Sequence, residues 1–176
     1  MNSIKKFNFK TKNEFHQFII KHTRFLADLI DIQNYSGIDY NFNKDGLYKF
    51  LKADFKKGGS VFLIYDGKDP IGAIYGYNNV YGDREFTLSF FAIKKEYQRK
   101  GFGKKLLKFA YDELLNTQGY KNVCMFSSSG TRAINKQISG LKNNGKLKPG
   151  PKSYKLDSTH GTDKVYLIPK PRHILK

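Results

Sequence analysis

The stretch from Phe90 to Leu115 holds the feature that most constrains this chain. A run of β-forming residues, Thr87-Leu88-Ser89-Phe90-Phe91-Ala92-Ile93, passes through a charged turn into Gln98-Arg99-Lys100-Gly101-Phe102-Gly103. A helical pattern follows, with Phe102, Leu106, Leu107, Ala110, Tyr111 and Leu114 on one stripe and Gly119 as its stop. A glycine-bearing turn between a strand and a helix is a seat for a phosphate group. The first turn of the helix presents backbone N–H groups with no intrahelical partner, together with the positive end of the helix dipole. Gly101 and Gly103 have no Cβ, so an anion can reach the backbone there. Arg99, Lys100 and Lys104 add cations at the same place.

The spelling of the turn decides between kinds of phosphate site. A P-loop carries a Ser or Thr after its Gly-Lys to hold magnesium, whereas Lys104 is followed by Lys105 and Leu106. A dinucleotide fingerprint needs a third glycine, and Leu106 stands there instead. What remains, Gln-Arg-Lys-Gly-Phe-Gly after a strand ending Phe-Ala-Ile, resembles the pyrophosphate-binding motif of the GNAT acyltransferase superfamily, Gln/Arg-x-x-Gly-x-Gly/Ala.

The rest of the chain supplies an element order. Ile4 to Lys10 alternates as a first strand, and Thr11-Lys12-Asn13-Glu14 is a capping box whose Glu14 side chain should return to Thr11. Phe15, Phe18, Ile19, His22, Leu26 and Leu29 recur at helical spacing, with His22 packed on the helix. Asp31 to Asp45 is polar and aperiodic and reads as a loop. Leu47, Phe50, Leu51 and Phe55 mark a second helix stopped by Gly58-Gly59. Val61 to Tyr65 and Ile71 to Tyr77 form a hairpin around Asp66-Gly67-Lys68-Asp69-Pro70. A long strand runs from Arg84 to Ile93. After the motif helix come a buried strand, Asn122 to Phe126, a short helix from Thr131 to Ser139, and a closing hairpin of Lys152 to Asp157 and Lys164 to Ile168. Lys142 to Lys152 is a Gly/Pro/Lys-rich connector.

This order matches that of the superfamily across essentially the whole chain. The resemblance implies an α/β (α+β) fold in a single domain, residues 1–176. Its sheet would be central, mixed and mostly antiparallel, with about six to seven strands flanked by about four helices. It also implies acetyl-CoA as cosubstrate, no metal, and transfer of the acetyl group to a primary amine of a small molecule or peptide. Gln98, Arg99, Lys100, Gly101, Phe102, Gly103 and Lys104 would hold the pyrophosphate. Pantetheine would pair with the backbone of Phe91, Ala92 and Ile93, and an N–H near Phe91 would polarise the thioester carbonyl.

An attacking ammonium must lose a proton. Glu85, Thr87, Ser89 and Phe91 share a strand face by their period of two, and Glu85 is the candidate general base. The superfamily often protonates the leaving thiolate with a tyrosine, in a pattern whose asparagine and tyrosine positions are Gly130 and Gln137 here. Water, Ser128, Ser129 or Tyr154 are the alternatives. The first two helices and their loop would wall the acceptor. Leu26 to Asp45 carries Asp28, Asp31, Asp39 and Asp45 against Lys44 alone, so Asp31, Tyr35, Asp39 and Tyr40 are candidate acceptor contacts for a cationic amine.

Composition narrows the partners. The formal charge is +17 over 176 residues, which suits an anionic ligand. Lysine supplies most of it, alongside abundant Asn, Ile, Tyr and Phe, a bias that AT-rich coding also produces. A noncatalytic binding module contacting nucleic acid or another anionic partner is therefore the second reading. No apolar run approaches the ~18 residues that a membrane span needs. The start of the chain lacks the apolar core of a signal peptide. A single cysteine, Cys124, allows no intrachain disulfide. These features point to a cytoplasmic monomer or homodimer. The four histidines, His16, His22, His160 and His173, have no metal-ligand spacing.

Overall fold

The computed structural model describes residues 2–37, 43–78, 84–127, 148–149 and 164–169. They fall into two compact units, one made of Met1–Asn78 and Ser89–Asp112, the other of Asn79–Leu88 and Glu113–Lys176.

The first unit begins with β1 (Asn2–Phe9), α1 (Lys12–Lys21), α2 (Phe25–Ser36) and α3 (Lys44–Asp54). Strands β2 (Gly59–Asp66) and β3 (Asp69–Asn78) follow as a hairpin, then the second half of β4 (Glu85–Ile93) and helix α4 (Phe102–Asp112). β1 pairs antiparallel with β2 from Asn2↔Asp66 to Phe9↔Gly59, and β2 antiparallel with β3 from Gly59↔Tyr77 to Asp66↔Asp69. β4 runs beside β3. The Lys94 N–H donates to Ile71 O at 2.9 Å, and the Ser89 hydroxyl to Tyr75 O at 3.4 Å. Rising numbers on β4 thus meet falling numbers on β3, so this pair is antiparallel too. Four antiparallel strands and four helices make up this unit. Of the six to seven strands expected, these four belong to this unit and the remainder to the other.

Alternation along the strands divides the core between two faces. Val61, Leu63, Tyr65, Ala73, Tyr75, Phe90 and Ala92 pack with Phe15, Leu29, Ile32, Leu47, Leu51 and Phe55 from α1 to α3 and the turn after α3. Phe62, on the opposite face of β2, meets Phe109 of α4 edge-on at 6.2 Å. Gly59 is required where it stands, because a Cβ there would run into the Phe55 ring.

Three expectations for the N-terminal region are corrected. The Thr11 hydroxyl caps Glu14 N–H at 3.2 Å as expected, but the Glu14 carboxylate returns to the Lys10 N–H at 2.8 Å, one residue earlier than Thr11. The periodic stretch from Phe15 to Leu29 is two helices, broken at His22-Thr23-Arg24. His22 is exposed and stacks on Phe18 at 4.2 Å, so it packs on the end of α1 as expected. The break re-aims the chain so that Phe25, Leu26, Leu29 and Ile32 of α2 all reach the core. Residues 31–36, expected as loop, continue α2, which ends at Gly37 with φ +78°.

In the second unit the first half of β4 pairs parallel with β5 (Asn122–Ser127), from Glu85↔Asn122 to Leu88↔Met125. β5 pairs antiparallel with β7 (Lys164–Pro169), and β7 with a two-residue β6 (Lys148–Pro149) inside the expected connector. Phe86, Leu88, Leu114, Leu115 and Val123 are buried, and Phe86 packs on Tyr120 at 5.2 Å. The expected helix at 131–139 and strand at 152–157 lie outside the described residues. Among the described residues no helix is long and apolar enough to cross a membrane.

Candidate active site

The strand–turn–helix junction of the first unit is shaped by one side chain. The Gln98 amide donates to Ile93 O at 2.8 Å and to Ser36 O at 3.0 Å. It folds the turn back on the end of β4 and satisfies a carbonyl at the C-terminus of α2, where helix carbonyls lack partners. Beyond it the backbone turns left-handed at Arg99 (φ 61°) and Gly101 (φ 87°). Glycine takes such a φ freely, while arginine does so at a cost of about 1–2 kcal/mol. The first helical hydrogen bond runs from Lys105 N–H to Gly101 O at 3.0 Å. The N–H groups of Phe102, Gly103 and Lys104 therefore precede the helical ladder and are available to an anion.

The surroundings suit that ligand. A Cβ built on Gly101 would meet nothing within 4 Å, so the glycine faces open space. Arg99, Lys100, Lys104 and Lys105 are exposed around it. Lys100 Nζ sits 5.6 Å over the Tyr97 ring, and Tyr97 meets Phe102 edge-on at 5.9 Å. A pyrophosphate fits this donor set, since backbone N–H groups and a dipole end lie in a stretch with four exposed cations and no competing carboxylate in the motif. Phe91, Ala92 and Ile93, the expected pantetheine strand, form the end of β4 that leads into the turn.

Lys94 was not singled out from the sequence. It closes β4, and its side chain is only 6% exposed. Its ammonium lies 2.6 Å from Asp31 of α2 and 2.8 Å from Asp69 at the head of β3. Burial pushes its pKa down, but the two carboxylates outweigh this and hold it above the usual lysine range. The charge of Asp31, read as part of a negative acceptor wall, is thus matched by Lys94. Tyr35 is 59% exposed, with Lys94 Nζ 6.0 Å over its ring. Asp39 and Tyr40 lie outside the described residues. Beside Asp31 a surface groove of about 540 Å³ is lined by Arg24, Ala27, Asp28, Asp31, Lys68, Asp69 and Pro70. Burial raises the Asp28 carboxyl there, against the lowering effect of Arg24.

Asp54 was missed as well. It ends α3, and its Oδ2 atom is inaccessible to solvent without a hydrogen-bond partner. Burial raises its pKa to about 6, a rise that the nearby Ser89 hydroxyl of β4 offsets in part. Two sequence signals pointed to it. It stands three residues after buried Leu51 and directly before buried Phe55, at the margin of the apolar stripe. It is also an acid in the last turn of a helix, where the dipole disfavours one. Glu85, the carboxylate the sequence did single out, is half-buried in the second unit, paired in register with Asn122.

Residues 26–135 match the acetyltransferase (GNAT) family. No curated protein sequence matches the chain. Among solved structures the chain is similar to the ribosomal-protein-S18-alanine N-acetyltransferase from Escherichia coli, at 16% identity and TM-score 0.66 over 97% of this chain and 94% of that one. It is similar to the dodecameric spermidine N-acetyltransferase from Vibrio cholerae, at 14% identity and TM-score 0.63 over 99% and 96%. A third is a GNAT-family acetyltransferase from Staphylococcus aureus, at 15% identity and TM-score 0.56 over 97% and 100%. At these identities the likeness is one of fold.

Proposed function

We propose, because this chain belongs to the acetyltransferase (GNAT) family, that it transfers an acetyl group from acetyl-CoA to a primary amine of a small molecule or peptide, by direct attack in a ternary complex. The observation that carries this reading is the cradle at Gln98 to Lys104. It is a left-handed turn at Arg99 and Gly101, open on the Gly101 side and flanked by exposed cations, that leads into the first three N–H groups of α4. These groups would hold the cosubstrate pyrophosphate, with Arg99, Lys100 and Lys104 screening its charge. Gln98 keeps the turn in that shape. The end of β4 from Phe91 to Ile93 would lie along the pantetheine.

The cosubstrate supplies an activated thioester, so the chain needs no covalent intermediate of its own. Its tasks are to orient the thioester, to stabilise the oxyanion that forms on the carbonyl, and to remove a proton from the acceptor. Glu85 is one carboxylate proposed for the proton. The likeness to an S18-alanine N-acetyltransferase and a spermidine N-acetyltransferase supports an amine acceptor here, with Asp31 and Tyr35 as proposed contacts. We place the reaction in the cytoplasm.

The test is a screen of acetyl-CoA turnover, read as release of free thiol, against polyamines, aminoglycosides, and peptides with free α-amino or lysine side chains. Amine-dependent release of thiol with a matching acetylated product is the expected result. Thiol release that no amine accelerates would overturn the reading.

A further inference from the structure

We propose that the groove between the start of α1 and the outer side of α3 is a docking surface for the phosphate backbone of a nucleic-acid duplex, an inference independent of the acetyltransferase reading. The groove has a volume of about 360 Å³ and is lined by Lys12, Lys49, Lys52, Ala53 and Lys56. Lys49, Lys52 and Lys56 recur at the spacing of one helix face, opposite the Leu47 and Leu51 stripe that α3 buries. Lys12 opens α1 beside its cap, Thr11, where the positive end of the helix dipole adds to the field. Among the described residues none of these four lysines pairs with a carboxylate. Glu14 is turned back on the Lys10 N–H. Asp54 has one oxygen closed off from solvent, and Asp45, one turn before Lys49, is not part of the lining. Lys52 is seated in place. Its ammonium lies 5.3 Å over the Tyr48 ring, which stacks on buried Phe15 at 6.0 Å and whose hydroxyl meets His16 Nδ1 at 2.6 Å.

Four like charges side by side repel one another until an anion neutralises them. Lys49 and Lys56 stand two helical turns apart, about 10 Å along the axis, a span that suits successive phosphates of a backbone more than one small anion. Lysine is a point charge on a flexible stem, and no arginine, asparagine or glutamine lines the groove to read a base edge. The contact is therefore to the backbone and blind to sequence. No ring lies open to a base either, since Tyr48 is half-buried beneath Lys52. The stacked bases of a duplex thus fit better than the splayed bases of a single strand. A lipid surface fits poorly, because Ala53 is the one apolar residue lining the groove and nothing large is there to enter the acyl region. The groove lies on the sheet face that α1 to α3 cover, whereas α4 packs on the opposite face. Duplex and acetyl-CoA should therefore bind together.

Lysine is abundant throughout the chain, so the experiment separates the groove from bulk charge. Fluorescence anisotropy follows binding of a short DNA duplex of random sequence, the matching RNA duplex and the single strand to the full chain over a range of salt. Sedimentation with phosphatidylserine vesicles runs alongside. Two double variants lose the same charge: Lys49→Gln/Lys56→Gln in the groove, and Lys21→Gln/Lys121→Gln at exposed positions outside it. The wild type should bind both duplexes, with a slope of log affinity against log salt of about −3, as for three or four neutralised phosphates. The groove variant should bind about tenfold more weakly at low salt and lose about 2 of that slope. The control variant should keep the slope. Thermal unfolding and acetyl-CoA affinity by calorimetry should be the same in all three proteins, and saturating acetyl-CoA should leave the duplex bound. Equal losses in the two double variants overturn the proposal, because bulk charge then accounts for the binding. No duplex binding by the wild type at low salt overturns it, as does displacement of the duplex by acetyl-CoA. Tighter binding to the single strand or to the vesicles than to either duplex overturns it too.

Discussion

Lys94 Nζ lies 2.6 Å from Asp31 Oδ2, joining the end of β4 to the middle of α2. With Asp69 as second partner, one nearly buried ammonium holds a strand end, a helix and the head of the β2–β3 hairpin together. Four residues further on, Gln98 ties the same strand and the same helix a second time, through Ile93 O and Ser36 O. The turn proposed to receive pyrophosphate is thus fixed on both sides of its entry before the first glycine is reached.

Lys94→Met should therefore destabilise the protein by about 1–3 kcal/mol in urea unfolding. Removing a buried partner strands its counter-charges. The loss stays below the fully buried case because Asp31 and Asp69 are 41% and 44% exposed and water takes over part of the task. Asp31→Asn should cost less than Lys94→Met, since Asp69 remains to hold the ammonium. Equal losses in the two variants would contradict this account.

Gln98→Leu keeps the bulk and removes both hydrogen bonds. Two carbonyls lose their donor, at roughly 1 kcal/mol each, and the turn loses the link that sets its position. Calorimetric affinity for coenzyme A should fall about tenfold, with a modest drop in Tm. Unchanged affinity would mean that the turn is held by the backbone at Arg99 and Gly101 alone.

Asp54 makes a prediction about stability with a definite sign. Its pKa is raised to about 6 in the folded protein from an ordinary value of 3.8. The folded state therefore holds more protons than the unfolded chain between these values, and stability falls as pH rises from about 4 to 6. Asp54→Asn removes that loss. It should be more stable than wild type at pH 7, by on the order of 1–2 kcal/mol once partial solvent exposure is allowed for, and the gain should vanish near pH 4. Urea unfolding at both pH values checks this, and a gain that persists at pH 4 would contradict it.

The local patterns were legible where a period or a glycine dictated structure. The apolar runs Val61 to Tyr65 and Ile71 to Tyr77 around a Gly/Pro turn gave the hairpin, and Gly101 and Gly103 gave the start of α4. The break at His22 was not legible, because Phe18, His22 and Leu26 keep helical spacing across it. Spacing cannot tell one helix from two that aim their stripes at one core. The continuation of α2 through Asp31 to Ser36 was hidden by its polar residues, although Ile32 and Gln33 are buried. Lys94 and Asp54 escaped for a different reason. Their partners, Asp31, Asp69 and Ser89, are 25 or more residues away in the chain. Only the tertiary fold brings them within reach, and a local motif search does not see long-range pairs.

The central claim is that the turn at Gln98 to Lys104 binds acetyl-CoA through its backbone. Calorimetric titration of acetyl-CoA into the wild type and into Gly103→Glu, with both shown to be folded by circular dichroism, tests it most directly. A glutamate at this position would place a side chain and a negative charge where the pyrophosphate is to sit. The account predicts saturable binding to the wild type and none to the variant. No binding to the folded wild type, or equal affinity in the two proteins, would contradict it.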